Sequence, residues 1–288
     1  MSAEAAHRFE ALRAELPRSS LRAWRFAALS LASRAGACVS EGTRIGHRHG
    51  FDSGPFMAHV YADRAAGRTP LGRRLDRRLL DRATCQAFRD IRGLAEAAVH
   101  EAIDAAGEHA VVADLAAGPS PYLLHALKRH PHATAVLCDV DAGALEQAAA
   151  AARGLGLQDR VSTRTQSAFD AAALAGLRPQ PDVVCELGLY GIYHDDSLIE
   201  HHFRDLAAVS PGQIVCNVQV DNPEIEYIAR VWRNAAGKRC LWRLRPAEQI
   251  VGYARAAGYE PASVTSDRNG IYRVMRFVRR DPEQEAAP

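Results

Sequence analysis

The sequence predicts an α/β fold, a doubly wound seven-stranded sheet preceded by an α-helical N-terminal extension. Three observations carry that prediction. Up to about residue 106, apolar residues recur at helical spacing with no convincing strand. From about residue 109, short β-branched runs alternate with Ala/Leu-rich stretches, about 23 to 30 residues apart, the spacing of a strand plus a crossover helix. Finally, the last two runs are joined by Arg268-Asn269-Gly270, a tight hairpin that makes them an antiparallel pair. Together these give a Rossmann-like domain over 107–280, an extension or lid over 1–106, and a flexible tail over 281–288.

In chain order, helices are expected over 3–16, 20–35, 54–66, 71–81 and 84–106, with GTRIGHRHGFDSG read as a loop between the second and third. The run RRLDRRLLDR alternates charge with leucine at helical spacing, which reads as a solvated face with i,i+4 pairs. Five parallel strands follow in HAVVADLA, ATAVLCDV, RVSTRTQ, PDVVCELG and GQIVCNVQ. Helices are then expected from Asn222 to about Asn234, with Asp221 and Asn222 capping it ahead of Pro223, and from Pro246 to Ala257. The final pair is YEPASVTSD and GIYRVMRFVRR.

Composition narrows the functional class. The 288 residues are 48% hydrophobic, enough for a sizeable core, and the net charge of +2 speaks against a dedicated nucleic-acid binder. Only Lys128 and Lys238 are lysines, an arginine bias that reflects a GC-rich bacterial genome. No apolar run approaches the roughly 18 residues of a membrane span, and the N-terminal text has no signal-peptide core, so a cytoplasmic protein is expected. The six cysteines lack CxxC pairing, and three of them (138, 185 and 216) fall within apolar runs as small hydrophobes. Neither a disulfide framework nor a metal site is expected.

In an open parallel sheet, ligands sit beyond the carboxyl ends of the strands. The first strand ends in Asp114-Leu-Ala-Ala-Gly-Pro-Ser-Pro-Tyr122, where Ala116, Ala117 and Gly118 permit close approach of a ligand to the backbone. Its single glycine and two prolines suit a ligand without phosphates better than a dinucleotide, although Asp139 alone would suit NAD. The second strand ends in Asp139-Val140-Asp141. Asp139 is placed to accept hydrogen bonds from a ribose diol, whereas Asp141 is read as the cap of the next helix. The fourth strand ends in Cys185-Glu-Leu187-Gly188-Leu-Tyr190-Gly-Ile-Tyr193-His194-Asp-Asp, with two tyrosines able to face a cation. The competing reading packs both under the helix that Asp195 and Asp196 cap. His194 is a candidate base, while His47, His49, His201 and His202 are assigned to solvent. On the fifth strand, Asn217 or Gln219 could orient an acceptor or a ligand's carboxylate and amine.

At these residues the chain resembles the class I S-adenosylmethionine (SAM)-dependent methyltransferases. From Phe51 to Arg280 it is similar to a family of bacterial methyltransferases sometimes fused behind an α/β-hydrolase domain. The likeness is carried by FDSGPFMAHVY, GRTPLGRRLDR, DLAAGPSPY, CELGLYGIYHDD, NPEIEYIARVW and NGIYRVMRFVRR. The resemblance implies SAM as cosubstrate, with Asp114 near its amino-acid moiety, Gly118 beneath the adenosyl group and Asp139 on the ribose. Tyr122, Val140, Leu187 and Gly188 complete that lining. Family members often carry an acid after the third strand, where this chain reads Gln166-Ser167-Ala168-Phe169. Ser167, a backbone group or Asp170 would then take the adenine contact, with Phe169 packed either on the adenine or in the core. Tyr61 and Arg68 resemble the family's text and are assigned to a lid or substrate contact.

Methyl transfer to a small-molecule acceptor is the favoured expectation. The alternative is an azetidine-2-carboxylate synthase-like SAM cyclase, in which the SAM amine attacks its own methionine chain and methylthioadenosine leaves. A non-catalytic SAM-binding module ranks third. Expected partners are a small molecule and a second copy of the chain as a homodimer, with neither nucleic acid nor membrane.

Overall fold

In the computed structural model, residues 3–280 are described, and they divide into two compact units. The first unit comprises the chain up to Asp90 together with Asp221–Leu244 and Arg268–Ile271. It holds α1 (Ala3–Arg13), α2 (Leu21–Gly36), α3 (Glu41–His49), α4 (Gly54–Ala62), α5 (Pro70–Leu80), the start of α6 (Ala83–Ala106), and α11 (Ile225–Val231). Small polar residues begin four of these helices. Ser20, Ser40, Ser53 and Thr69 each accept a first-turn amide, from Ala23, Thr43, Phe56 and Gly72 respectively.

Its core is aromatic. The Phe51 ring stacks on Trp232 at 4.8 Å between centroids, Phe56 meets Trp232 edge-on at 5.6 Å, and Trp242 packs edge-on against Phe88 at 5.9 Å. Helix α3 occupies text expected as a loop. Gly42 and Gly46 are buried there, and a Cβ on either would overlap the His59 or Phe51 ring, so the residues that suggest a loop serve close packing instead.

The arginine-rich run also departs from a wholly solvated face, because Asp76 of α5 is fully buried. Its carboxylate accepts from Gly42 N at 2.6 Å, Ser40 Oγ at 2.8 Å, Ala66 N at 2.8 Å and His59 Nε2 at 2.9 Å. Burial alone would raise this carboxyl's pKa, but His59 and the Ala66, Gly42 and Ser40 donors outweigh it and hold it below the usual carboxylate range.

The second unit comprises Ile91–Val220, Arg245–Asp267 and the chain from Tyr272 onward. Its strands are β1 (Val111–Asp114), β2 (Thr134–Asp139), β3 (Val161–Thr165), β4 (Val183–Glu186), β5 (Gln213–Gln219), β6 (Tyr259–Ser266) and β7 (Tyr272–Arg279). They form one sheet in the order β3-β2-β1-β4-β5-β7-β6, with β1 to β5 parallel and β7 antiparallel to both β5 and β6. Alternating strand residues supply two cores. Val112, Leu137, Cys185 and Val215 pack with the later part of α6, α7 (Pro121–Arg129) and α8 (Ala142–Gly154). Ala113, Cys138, Val184 and Cys216 pack on the other face with α9 (Ala171–Ala175), α10 (Asp196–Val209) and α12 (Ala247–Ala256). Burial pushes the Cys138 thiol up to about 12 and raises those of Cys185 and Cys216 well above the usual thiol range, so all three serve as neutral core groups. The chain leaves β1 for β2 on one side and reaches β4 on the other, so the topological switch lies between β1 and β4. The expected tail, 281–288, lies outside the described residues.

Candidate active site

The loop after β1 is tied to both neighbouring strands. Leu115 N donates to Cys185 O at 2.9 Å and Ala117 N to Cys138 O at 3.0 Å. Asp114, expected beside a ligand, is fully buried beneath this loop and acts on the turn itself: its Oδ2 accepts from Ser120 Oγ and Tyr122 OH, both at 2.6 Å. Burial pushes the Asp114 carboxyl up to about 6, against the Ser120, Tyr122 and Ala116 donors that favour the charged form. Tyr122 is buried with it, and its phenol is raised well above the usual range by burial and by Asp114. Ala116 is half-buried and Ala117 buried. Gly118 has the positive φ of 49° that the turn requires, and a Cβ there would meet nothing within 4 Å. That backbone therefore fronts open space.

Asp139 closes the adjacent strand end. It is half-buried, accepting from Gly118 N at 2.8 Å through Oδ2 and from Asp141 N at 2.9 Å through Oδ1. Each carboxylate oxygen retains capacity for a further donor. Asp141 caps α8 by accepting from Gly143 N and Ala144 N, and Val140 between the two acids is exposed. After β3, the Ser167 side chain is engaged locally, accepting from Phe169 N at 3.2 Å, and Ala168 is buried. Phe169 is half-buried, its ring 4.5 Å from that of Tyr193 and 4.8 Å from that of His202. Asp170 caps α9.

The β4 loop contains the largest departures from expectation. Tyr190 is fully buried and donates to Glu186, which also pairs with His202 of α10. Tyr190 is thus a core residue beneath α10, its phenol raised well above the usual range by burial and by Glu186. His202, expected at solvent, is buried with it. His47 of the first unit is half-buried rather than exposed, bonded to Ser33 Oγ at 2.9 Å, whereas His49 and His201 are exposed. Tyr193 is half-buried on the Phe169 edge, His194 is exposed, and Asp195 caps α10.

Arg245, only 1% exposed, ties this loop to the unit. Its guanidinium donates to Tyr190 O, to Tyr193 O at 2.8 Å and to Asp196 Oδ1 at 2.8 Å. Sequence reasoning missed Glu186, His202 and Arg245. The only signal was charge inside apolar text, which burial alone can interpret.

Leu187 packs on the core, and Gly188, with φ of 77° and open space beside it, donates its amide to Asn217 Oδ1 at 2.7 Å. Asn217 and Gln219 are buried at the end of β5, and Asn217 Nδ2, Gln219 Nε2 and, after β3, Gln166 Nε2 have no hydrogen-bond partner. Buried donors left unpaired are costly unless a ligand or water completes them. The carboxyl edge of the sheet thus presents a carboxylate, two open glycine backbones and unpaired amides. Tyr61 and Arg68 belong to the first unit, where Tyr61 is half-buried and Arg68 exposed.

Comparisons with known proteins agree with this architecture. The family described as “Putative methyltransferase” matches residues 1–279. The uncharacterized protein YnbC of Escherichia coli (strain K12) is 28% identical over 249 residues, covering 84% of this chain. The chain matches only 43% of the length of YnbC. Among solved structures, a possible exported protein from Bordetella parapertussis superposes with a TM-score of 0.62 at 16% identity, covering 93% of this chain and all of that one. Magnesium protoporphyrin IX methyltransferase from Synechocystis PCC 6803, with bound SAM, gives 0.54 at 14% identity, covering 81% of this chain and 95% of that one. The fold is the Rossmann-like architecture of class I SAM-dependent methyltransferases.

Proposed function

The chain belongs to the methyltransferase family that matches residues 1–279, and from that premise we propose that it is a SAM-dependent methyltransferase acting on a small-molecule acceptor. The observation that carries the reading is the Asp139–Gly118 link, which sets a carboxylate with spare acceptor capacity beside a glycine backbone fronting open space. A ribose diol supplies donors for such a carboxylate, and the one-glycine, two-proline turn suits a cofactor without phosphates. SAM, when bound, supplies a methyl group on a sulfonium, open to in-line attack by an acceptor. Asp139 holds the ribose, the Gly118 and Gly188 backbones allow close approach, and the Asn217 and Gln219 amides orient the amino-acid end or the acceptor. Tyr193 offers an aromatic face to the cation. Catalysis rests mainly on proximity and orientation, so an acceptor that is already nucleophilic needs no strong base.

The test is incubation of the purified protein with SAM, alone and with pooled candidate acceptors, followed by mass spectrometry. The proposal expects S-adenosylhomocysteine and a methylated acceptor. Methylthioadenosine with azetidine-2-carboxylate from SAM alone would replace methyl transfer by intramolecular cyclisation. Failure of SAM to bind would overturn both.

A further inference from the structure

The first unit contains a cleft of about 470 Å³, formed by the last turn of α2, the last turn of α3 and the turn 233–237. It lies within the volume range of small-molecule sites. Arg34, Arg48, Arg233 and His47 line it, and no acidic residue does. Elsewhere in the unit some arginines pair with carboxylates, Arg8 with Asp221, Arg22 with Glu226, Arg77 with Asp81 and Arg82 with Glu224, while others such as Arg64 and Arg73 stand singly at the surface rather than grouped in a cleft. Among the described residues, Arg34, Arg48 and Arg233 have no such partner.

A purely structural explanation is that these cations offset helix C-termini. Arg34 and Arg48 do sit in the last turns of α2 and α3, and each helix end carries about half a negative charge. Three guanidiniums exceed that demand. Arg233 is also held in place, its Nη1 donating to Arg230 O at 3.2 Å and Trp232 O at 2.8 Å. His47 is braced by Ser33 and by the edge of Phe51. Near the rim, the exposed Asp52 carboxylate is engaged by Ala235 N at 3.2 Å and offsets only part of the charge of three guanidiniums. The cleft therefore carries excess positive charge, with Arg233 and His47 held in place and Arg34 and Arg48 exposed at its edge.

We infer that this cleft binds a phosphate group, free or carried on a larger molecule. Guanidinium forks match phosphate oxygens in pairs. A dianion with three or more acceptor oxygens satisfies several arginines at once, which a carboxylate with one charge and two oxygens does not. Two sources fit the same chemistry, a soluble phosphate and a lipid headgroup. The second has a built-in reporter: Trp24 on α2 is 68% exposed, between Leu21 and Leu31, which are also exposed, whereas Trp232 and Trp242 are buried.

The whole chain is titrated with inorganic phosphate against chloride at matched ionic strength, following the thermal midpoint. In a parallel arm, Trp24 emission is followed on adding phosphatidylcholine vesicles with and without phosphatidic acid. Saturable stabilisation by phosphate is expected, with apparent affinity weakened at least about tenfold in Arg34→Glu/Arg48→Glu and unchanged in Arg153→Glu, an exposed control on α8. The milder Arg34→Gln/Arg48→Gln pair keeps the test decisive if charge reversal disturbs folding. A blue shift that requires phosphatidic acid and disappears in the same variants supports the proposal and assigns the headgroup source. Phosphate binding without a vesicle response supports it and assigns the soluble source. Absence of any phosphate-specific effect in both arms, or binding retained by both cleft variants, overturns it.

Discussion

Asp139 and Asp141 sit two residues apart and separate two roles that the sequence reads as distinct. Asp139→Ala is expected to raise the Kd for SAM about 10- to 100-fold, the effect of losing one or two hydrogen bonds to a charged group, measured by calorimetric titration. Asp141→Ala removes only the α8 cap, costing about 1 kcal/mol of stability and leaving SAM affinity intact. Asp114 makes a prediction about pH. Its folded pKa of about 6 lies above the ordinary value near 3.9, so the unfolded chain releases this proton first. Stability should therefore fall by on the order of 2–3 kcal/mol as pH rises from about 4 to 6, then level off. Asp114→Asn should abolish that decline in denaturation midpoints measured across the range. Asp76 has the opposite sign. Its folded pKa is depressed, so its contribution is complete above the unfolded value and is lost as pH falls through the lower folded one. Asp76→Asn should cost about 3 kcal/mol in urea unfolding at neutral pH, by leaving buried partners unmatched. None of this is legible at Asp76 in the sequence, where it is one acid in an arginine run. Caps that act through neighbours in the chain are legible at Asp141 and Asp195, but not before α11, where Glu224 stands at the N-cap with no side-chain cap bond and Asn222, expected as a cap, instead accepts from Glu224 N.

At the level of elements, the strands are readable because each is a short β-branched run bounded by turn residues, and the Arg268-Asn269-Gly270 hairpin states its own reversal. The α3 region was not readable, since Gly42 and Gly46 serve a tertiary contact that local propensity does not register. The β4 loop falls between these cases. Its glycines and aromatics mark it as part of the site, yet the side chain that secures it comes from Arg245, 52 residues beyond Tyr193. Arg245→Met should remove the hydrogen bonds to Tyr190 O, Tyr193 O and Asp196, destabilising the second unit by about 2–4 kcal/mol. Hydrogen exchange should accelerate locally from Gly188 to His194 and weaken SAM protection. Arg245→Lys should recover little, because an ammonium cannot span three acceptors in a planar fork.

For the whole molecule, five parallel strands and then an antiparallel pair follow from the sequence pattern, whereas the strand order and the way the chain alternates between the two units do not. The segment Asp221–Leu244 lies between strands of the second unit in sequence yet packs Trp232 and Trp242 among Phe51, Phe56 and Phe88 of the first. Deleting residues 1–90 should therefore strip these indoles of their partners and give an aggregating chain, visible by light scattering. In the intact chain, SAM at one hundred times its Kd should add about 2.7 kcal/mol of apparent stability. Cysteine placement has a practical corollary. Five thiols are buried and Cys38 is exposed, one residue beyond Ala37 at the edge of the arginine-lined cleft. A maleimide dye on the native protein should therefore attach at one position, giving a site-specific optical probe of that cleft without engineered mutations.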